Sequence, residues 1–366
     1  MTDRVSFRFE GRDLLGVEGR SVAAALHAAG VTTLGWSAKY RRPRGLRCVR
    51  GHCPCCTMLI DGQVAAACTT PLAGGEHVVR LRPRLPRLPI DRLAPLLPAG
   101  FYYDRLRRSP RIWRHAERAL AHLAATRTLA PGAIADIAQQ TVDVLIVGGG
   151  RHGLQHATEA AQRGEVVLVA EREARLGGRL LDRPHGANHA HRLVTTATAA
   201  GAELLTNATV LGSFDEGITP VATPQRLLLV RARRIEYATG TLDRDAPLPG
   251  GDRPGVFLAG GAARLTIRDG VLPGASIILA HADGIADDIT PILTNHGATI
   301  IDHCAVTDIT AVHGSPHLHA ITRRRASRTV RIRCDTLIIS AGHHPLDTLE
   351  RLEFTTAARA GVRAPI

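Results

Sequence analysis

Five of the chain's seven cysteines lie between positions 48 and 68. Four of them, Cys48, Cys53, Cys56 and Cys68, have the spacing C-x4-C-x2-C-x11-C. The first three match the plant-type run that holds a [2Fe–2S] cluster, and the fourth completes the thiolate set that two sulfide-bridged, tetrahedral irons need. The spacing therefore predicts a cluster that transfers one electron at a time.

A structural zinc site is the alternative for four cysteines, and such sites usually pair two C-x2-C knuckles. The asymmetric 4-2-11 spacing fits iron–sulfur binding better. Cys55 is interpreted as a non-ligand, with replacement of Cys56 and a free thiol as the other possibilities. Gly45 and Gly51 let the backbone bend close to the cluster, so that amide N–H groups can point at the sulfurs.

A second motif, Gly148-x-Gly150-x-x-Gly153, follows the apolar strand pattern VDVLIV and precedes a helix pattern. Glu171 stands at the end of the next expected strand, which completes a βαβ unit. The glycines permit a tight turn, and the helix N-terminus favours a pyrophosphate. A carboxylate at position 171 would bind ribose hydroxyls and disfavours a 2′-phosphate, so the motif predicts FAD or NAD rather than NADP.

Two further segments support a dinucleotide site. Gly177 and Gly178 closely follow Glu171, as in flavoproteins with two dinucleotide-binding units. Thr239 and Gly240 belong to an Ala-Thr-Gly run after an apolar strand, where such chains commonly cross back beside the dinucleotide. The sequence contains no catalytic triad, HExxH motif or P-loop, and no residue is a convincing acid or base for an amine substrate, so the catalytic residues are unknown.

Length and composition fit a protein of two or three domains with a sizeable core. The chain has 366 residues, 45% of them hydrophobic, and a net charge of +13. The positive charge comes from dispersed arginines and a single lysine, which argues against a nucleic-acid site. Neither an apolar stretch of about 18 residues nor a signal-peptide pattern is found, so the cytoplasm is the expected compartment.

Cysteine usage agrees with that compartment. Seven cysteines in a cytoplasmic chain indicate metal or redox chemistry rather than disulfides. Cys304 and Cys334 stand alone in apolar, strand-like surroundings. We expect both to be buried structural thiols.

The patterns divide the chain into three parts with α+β and α/β folds. Residues 1–82 show the order strand, helix, cysteine loop, strand, turn, strand, with Asp61-Gly62 as a hairpin signal, and predict a β-grasp [2Fe–2S] ferredoxin-like domain. Residues 83–140 form a connector with a helix. Residues 141–366 predict a Rossmann-like FAD/NAD(P)-binding domain whose shortened second unit, at 275–303, lacks a GxGxxG turn.

Together these motifs resemble one family. The run WSAKYRRPRGLRCVRGHCPCCTMLIDG is similar to the ferredoxin-like region of bacterial multi-subunit amine and imino-acid oxidoreductases, and the distinctive part is Tyr40-x-x-Pro43-Arg44-Gly45. These proteins include hydrogen cyanide synthase, opine oxidase and the proline and hydroxyproline dehydrogenases. The segments GFYYDRLRRSPRIW, ATGTLDRDAPLPGGDRPGVFLAGGA and DGVLPG also resemble the α subunit of heterotetrameric sarcosine oxidase. The resemblance places the family's cluster ligands at Cys48, Cys53, Cys56 and Cys68 and its dinucleotide loop at Gly148, Gly150 and Gly153.

The resemblance implies an electron-transferring, α-like subunit that works in a hetero-oligomer with a flavin-containing, substrate-oxidising partner and an electron acceptor. The implied cofactors are a [2Fe–2S] cluster and FAD. NAD is the alternative, because the tail lacks the Gly-Asp motif that usually contacts the flavin pyrophosphate. One alternative function is an NADH-dependent flavin/[2Fe–2S] reductase, and the other is a non-catalytic assembly role in which the chain holds a dinucleotide. Sarcosine oxidase α subunits continue into a folate-binding-type domain that this sequence does not contain, so no folate role is expected.

Overall fold

A computed structural model of the chain describes residues 3–37, 42–81, 136–214, 217–282, 289–326 and 328–350, with single positions 109, 111 and 115. It has two compact units, formed by residues 1–130 with 243–342 and by residues 131–242 with 343–366. Most of the helix expected in the connector, together with Tyr40 and the tail after position 350, lies outside the described residues. Within the described part of the chain, no helix combines the length and the apolar character that a membrane span requires.

The N-terminal segment forms a five-stranded sheet with one helix, in the strand order β2-β1-β7-β5-β6. Strands β1 and β7 are parallel, and the other pairs are antiparallel. The elements in chain order are β1 (Arg4–Phe9), β2 (Arg12–Val17), α1 (Val22–Ala28), β3 (Gly35–Trp36), β4 (Pro43–Arg44), β5 (Thr57–Ile60), β6 (Gln63–Ala66) and β7 (His77–Arg80).

Two details of this sheet test the sequence patterns. The hairpin expected at Asp61-Gly62 joins β5 to β6, with φ angles of 50° and 79° that suit a tight two-residue turn. Strand β2 was not expected. Only Gly16 of its six residues is buried, so no alternation of apolar and polar residues marks the strand.

The middle segment forms a six-stranded sheet in the order β10-β9-β8-β13-β12-β11, whose first four strands are parallel. Strand β8 begins five residues before the expected position 141. Its first half is mostly polar and exposed, so the apolar pattern in the sequence indicated only the second half of the strand. The elements are β8 (Asp136–Val147), α2 (Arg151–Gln162), β9 (Val167–Ala170), α3 (Gly186–Ala199), β10 (Glu203–Leu205), β11 (Thr209–Val210), β12 (Ile218–Ala222), β13 (Arg226–Tyr237) and β14 (Thr241–Asp243).

The last segment forms a parallel sheet in the order β15-β21-β16-β17 and an antiparallel meander of β18, β19 and β20. Cys304 and Cys334 are buried as expected, and burial raises the pKa of their thiols to about 11 and about 12. The elements are β15 (Val256–Leu258), α4 (Ala259–Asp269), β16 (Ser276–His281), α5 (Thr290–Thr294), β17 (Thr299–Ala305), β18 (Ile309–Gly314), β19 (Leu318–Arg325), β20 (Arg328–Arg333), β21 (Thr336–Ser340) and β22 (His343–Pro345).

One apolar core joins the two segments of the first unit. Phe7, Leu26 and Met58 of the N-terminal segment belong to the same buried cluster as Phe257 and Leu265, near and in α4. Each of these side chains is at most 2% exposed. The N-terminal sheet therefore shares its core with the sheet of the last segment, although two members of that core, Val78 and Phe257, are 179 positions apart in the sequence.

A buried polar contact also connects α1 to α4. The Ser21 hydroxyl caps α1 by accepting the N–H of Ala24 at 3.2 Å, while the Ser21 N–H donates to Oδ1 of Asp269 at 2.9 Å. Burial raises the pKa of the Asp269 carboxyl. A negative group at this position interacts favourably with the positive end of the α1 dipole. The contact therefore stabilises the packing of the start of α1 against the end of α4.

We expect Leu265→Ala to destabilise the protein by about 2–5 kcal/mol, because it leaves a cavity in the shared core. Denaturant unfolding of the full chain, followed by circular dichroism, measures the loss. Leu15→Ala is the control, since that side chain is 62% exposed and its removal should cost no more than about 0.5 kcal/mol. Equal effects of the two substitutions would contradict a shared core.

Candidate functional site

The four expected cluster ligands lie together in the N-terminal segment. The Cys48 thiol is in hydrogen-bonding contact with the thiols of Cys53 and Cys68, and the Cys68 thiol also contacts that of Cys56. These contacts link the four sulfurs in the order Cys53, Cys48, Cys68, Cys56. Four thiolates are the set that two sulfide-bridged irons need, so the number and type of the donors fit a [2Fe–2S] cluster.

Backbone N–H groups point at two of these sulfurs. The N–H groups of Arg50 and Cys53 donate to Sγ of Cys48 at 3.5 and 3.4 Å, and the Gly51 N–H donates to Sγ of Cys68 at 3.2 Å. The positive φ of Gly51, 72°, belongs to the turn that directs its N–H inward. Contacts from the thiols of Cys53 and Cys68, together with the backbone N–H groups, lower the pKa of Cys48.

Cys55 lies beside this group. Its thiol contacts that of Cys53, and the residue as a whole is half-buried. Cys56, in contrast, is 1% exposed, and its thiol contacts Cys68. The arrangement favours Cys56 over Cys55 as the third ligand, and the assignment of Cys55 as a non-ligand stays a prediction.

The glycine turn after β8 depends on close backbone packing. A Cβ atom on Gly148 would lie 2.5 Å from the Ala238 carbonyl oxygen, and one on Gly153 would lie 1.9 Å from the Gly148 carbonyl oxygen. Beside Gly150, in contrast, no atom of the described residues comes within 4 Å of a Cβ position. The first and third glycines thus hold α2 against the strand, and the space at the second is where a pyrophosphate would approach.

Glu171 holds the turn from the end of β9. One carboxylate oxygen accepts the N–H of Gly149 at 2.8 Å, and the other accepts the N–H of Glu173 at 2.8 Å. A carboxylate oxygen offers further lone pairs, so these bonds leave capacity for a ribose hydroxyl. The sequence patterns missed the role of Gly149, where a Cβ atom would lie 2.3 Å from Leu176, although the run of three glycines is a signal for it.

The remaining candidate residues surround the same turn. The Gly177 N–H donates to the Gly149 carbonyl oxygen at 2.8 Å, and a Cβ atom on Gly178 would lie 3.1 Å from Cα of Gly150. After β13, the Thr239 hydroxyl donates to the Leu346 carbonyl oxygen at 2.6 Å, and the Leu346 N–H donates to the Gly240 carbonyl oxygen at 3.0 Å. The glycine turn, the acidic residue and the two later motifs therefore follow the carboxyl ends of three parallel strands, β8, β9 and β13, where such sheets bind dinucleotides.

Known proteins share these features. Residues 2–83 match the family of 2Fe-2S iron-sulfur cluster binding domains. The chain is 25% identical to the α subunit of the sarcosine oxidase of Rhizobium meliloti (strain 1021), over 93% of this chain and 40% of that protein. It is 28% identical to one of the opine oxidase subunits of the same strain, over 37% of this chain and 32% of that protein. The resemblance to these oxidase subunits that the sequence predicts is confirmed.

A solved structure shares the fold. The crystal structure of L-proline dehydrogenase from P. horikoshii has a TM-score of 0.69 and 21% sequence identity, and the match covers 94% of this chain and 61% of that one. This match and the domain match at residues 2–83 confirm the predicted fold class, a ferredoxin-like domain followed by a dinucleotide-binding α/β fold. The chain spans less than two thirds of each of these relatives. The comparisons also support the two predicted cofactors, the [2Fe–2S] cluster and FAD.

We expect Gly153→Ala to lower the dinucleotide retained by the purified chain at least about tenfold, because a methyl group cannot fit 1.9 Å from the Gly148 oxygen without moving α2. Nucleotide released on denaturation and quantified per chain gives the result. Glu159→Ala, on the exposed side of the same helix, is the control and should retain the wild-type amount. Full retention by Gly153→Ala would show that the turn does not hold the nucleotide.

Proposed function

We propose that the chain is the electron-transferring, α-like subunit of a flavin-dependent dehydrogenase or oxidase complex whose substrates are amines or imino acids of the sarcosine, proline or opine type. The observation that carries this proposal is the group of four contacting thiols at Cys48, Cys53, Cys56 and Cys68, two of which accept backbone N–H groups. A glycine turn suited to a dinucleotide follows in the same chain. The pair of sites suits a protein that passes electrons between two redox partners.

The chain's residues would hold each cofactor rather than perform the chemistry. A [2Fe–2S] cluster supplies one-electron transfer and a flavin supplies exchange between two-electron and one-electron steps when they are bound. Cys48 and Cys68 would bind as thiolates, which the N–H groups of Arg50 and Gly51 stabilise. Burial on the apolar side of Cys48 excludes water from that ligand.

FAD is the proposed occupant of the glycine turn, with NAD as the alternative. Glu171, 8% exposed at the end of β9, would accept the adenosine ribose hydroxyls and would repel a 2′-phosphate. The open space beside Gly150 and the N-terminus of α2 suit a pyrophosphate. Arg151 and His152 are exposed in the first turn of α2, where contact with a phosphate and contact with solvent are both open to them.

Substrate oxidation would belong to a flavin-containing partner in the complex. The relatives are named as subunits of sarcosine oxidase and of opine oxidase, which supports a hetero-oligomer. The absence from the sequence of a convincing acid or base for an amine agrees with this division of labour. A net charge of +13 would favour docking to an acidic partner surface. The cytoplasm is the proposed compartment.

We expect Cys48→Ser to lose most of its iron and the electron paramagnetic resonance (EPR) signal of the reduced cluster, because it removes the ligand that contacts both Cys53 and Cys68. Cys55→Ser is the matched control and should keep two irons per chain. In the assembled complex, Cys48→Ser should also lose turnover with a physiological acceptor while the subunits remain associated. Unchanged turnover would contradict electron transfer and favour an assembly role, and rapid NADH oxidation by the isolated chain would favour an NADH-dependent reductase.

A further inference from the structure

Two sequence segments that carry the family resemblance place no side chain in either cofactor site. One is the run from Pro43 to Arg47, and the other is the run 245–261. Both belong to the first unit, and they contact each other. We propose that the run 245–261 forms a seat for the cysteine loop, and that Gly261 is a positioning residue that sets the reduction potential of the cluster. This inference rests on the proposed cluster.

Ion pairs hold the loop on the seat from one side. The Arg47 guanidinium donates to both carboxylate oxygens of Asp245, at 2.8 and 2.5 Å, and to the Gly251 carbonyl oxygen. The Arg44 guanidinium donates to the carboxylate and to the backbone oxygen of Asp252, at 2.6 and 3.1 Å. The two-pronged geometry at Asp245 fixes the direction of Arg47, the residue next to the ligand Cys48.

Backbone contacts hold the loop from the other side. The Leu258 N–H donates to the Arg47 carbonyl oxygen at 3.0 Å. A Cβ atom on Gly261 would lie 2.6 Å from that oxygen and 2.8 Å from the Cys48 carbonyl carbon and oxygen. Gly261 lies in the first turn of α4 and its φ is not positive, so the backbone conformation does not require glycine there. The close approach of Cys48 does.

The seat therefore controls the surroundings of Cys48. Cys48 packs with Val256, Leu258 and Ile278 on an apolar side, while the N–H groups of Arg50 and Cys53 reach its sulfur. Hydrogen bonds to a ligand sulfur stabilise the reduced, more negative cluster and raise its potential. The first turn of α4 adds the positive end of a helix dipole next to the loop. Moving Cys48 off this turn would weaken both effects.

We expect Gly261→Ala in the full chain to retain iron and to lower the midpoint potential of the cluster, measured by EPR-monitored redox titration. Gly35→Ala is the matched control, because its Cβ atom would lie at an ordinary 3.7 Å from the Cys55 carbonyl oxygen, and its potential should equal that of the wild type. Equal potentials in Gly261→Ala and the wild type would overturn the inference.

A second variant decides the question if Gly261→Ala does not accumulate as folded protein. Asp245→Asn breaks the two-pronged contact with Arg47 and should speed the release of iron to a chelator severalfold. Arg233→Gln, which removes an ion pair of a mostly exposed arginine with Asp143, is the control and should release iron at the wild-type rate. A wild-type rate in Asp245→Asn would then overturn the inference. Wild-type protein without iron would instead contradict the proposed function, and the inference with it.

Discussion

Negative charge on buried sulfur is the physical constraint that shapes the N-terminal segment of this protein. A thiolate removed from water loses its hydration, and neighbouring thiolates repel each other. The cysteine loop meets this cost with backbone donors, the N–H groups of Arg50, Gly51 and Cys53. Hydrogen bonds of this kind weaken when the donor–acceptor distance lengthens by a few tenths of an ångström, so the loop needs a rigid support. The shared core of the first unit and the contacts around α4 provide that support.

The dinucleotide turn also presents backbone N–H groups to a negatively charged group. There too the backbone would do the binding, through the N–H groups at the start of α2. A charged side chain, Glu171, holds the turn by accepting the N–H of Gly149. Both sites depend on glycines at which a side chain would clash with backbone atoms. These are Gly153 at the dinucleotide turn and Gly261 beside the cysteine loop. The functional geometry of the chain is thus set largely by places where side chains are missing.

Local patterns predicted the parts of the structure whose cause is local. The hairpin at Asp61-Gly62, the helix after Gly150 and the gathering of the cysteines follow from turn chemistry, helical periodicity and ligand spacing. Strand β2 could not be predicted, because it presents almost no buried face.

Long-range contacts could not be predicted from the sequence, because they have no local cause. Arg47 and Asp245 are 198 residues apart, and no pattern in either segment indicates that the two form an ion pair. The predicted boundaries at 82 and 140 separate the ferredoxin-like segment from residues 141–366, whereas the first unit joins it to residues 243–342. The hydrogen bonds that Glu171 makes to the backbone likewise depend on the folded turn.

The measurement that tests the central claim most directly is a spectrum of anaerobically purified protein, with iron, zinc, flavin and nicotinamide quantified per chain. The account predicts two irons per chain, the absorbance of a [2Fe–2S] cluster and released FAD. Zinc in place of iron, or no metal at the four cysteines, would contradict electron transfer through this chain.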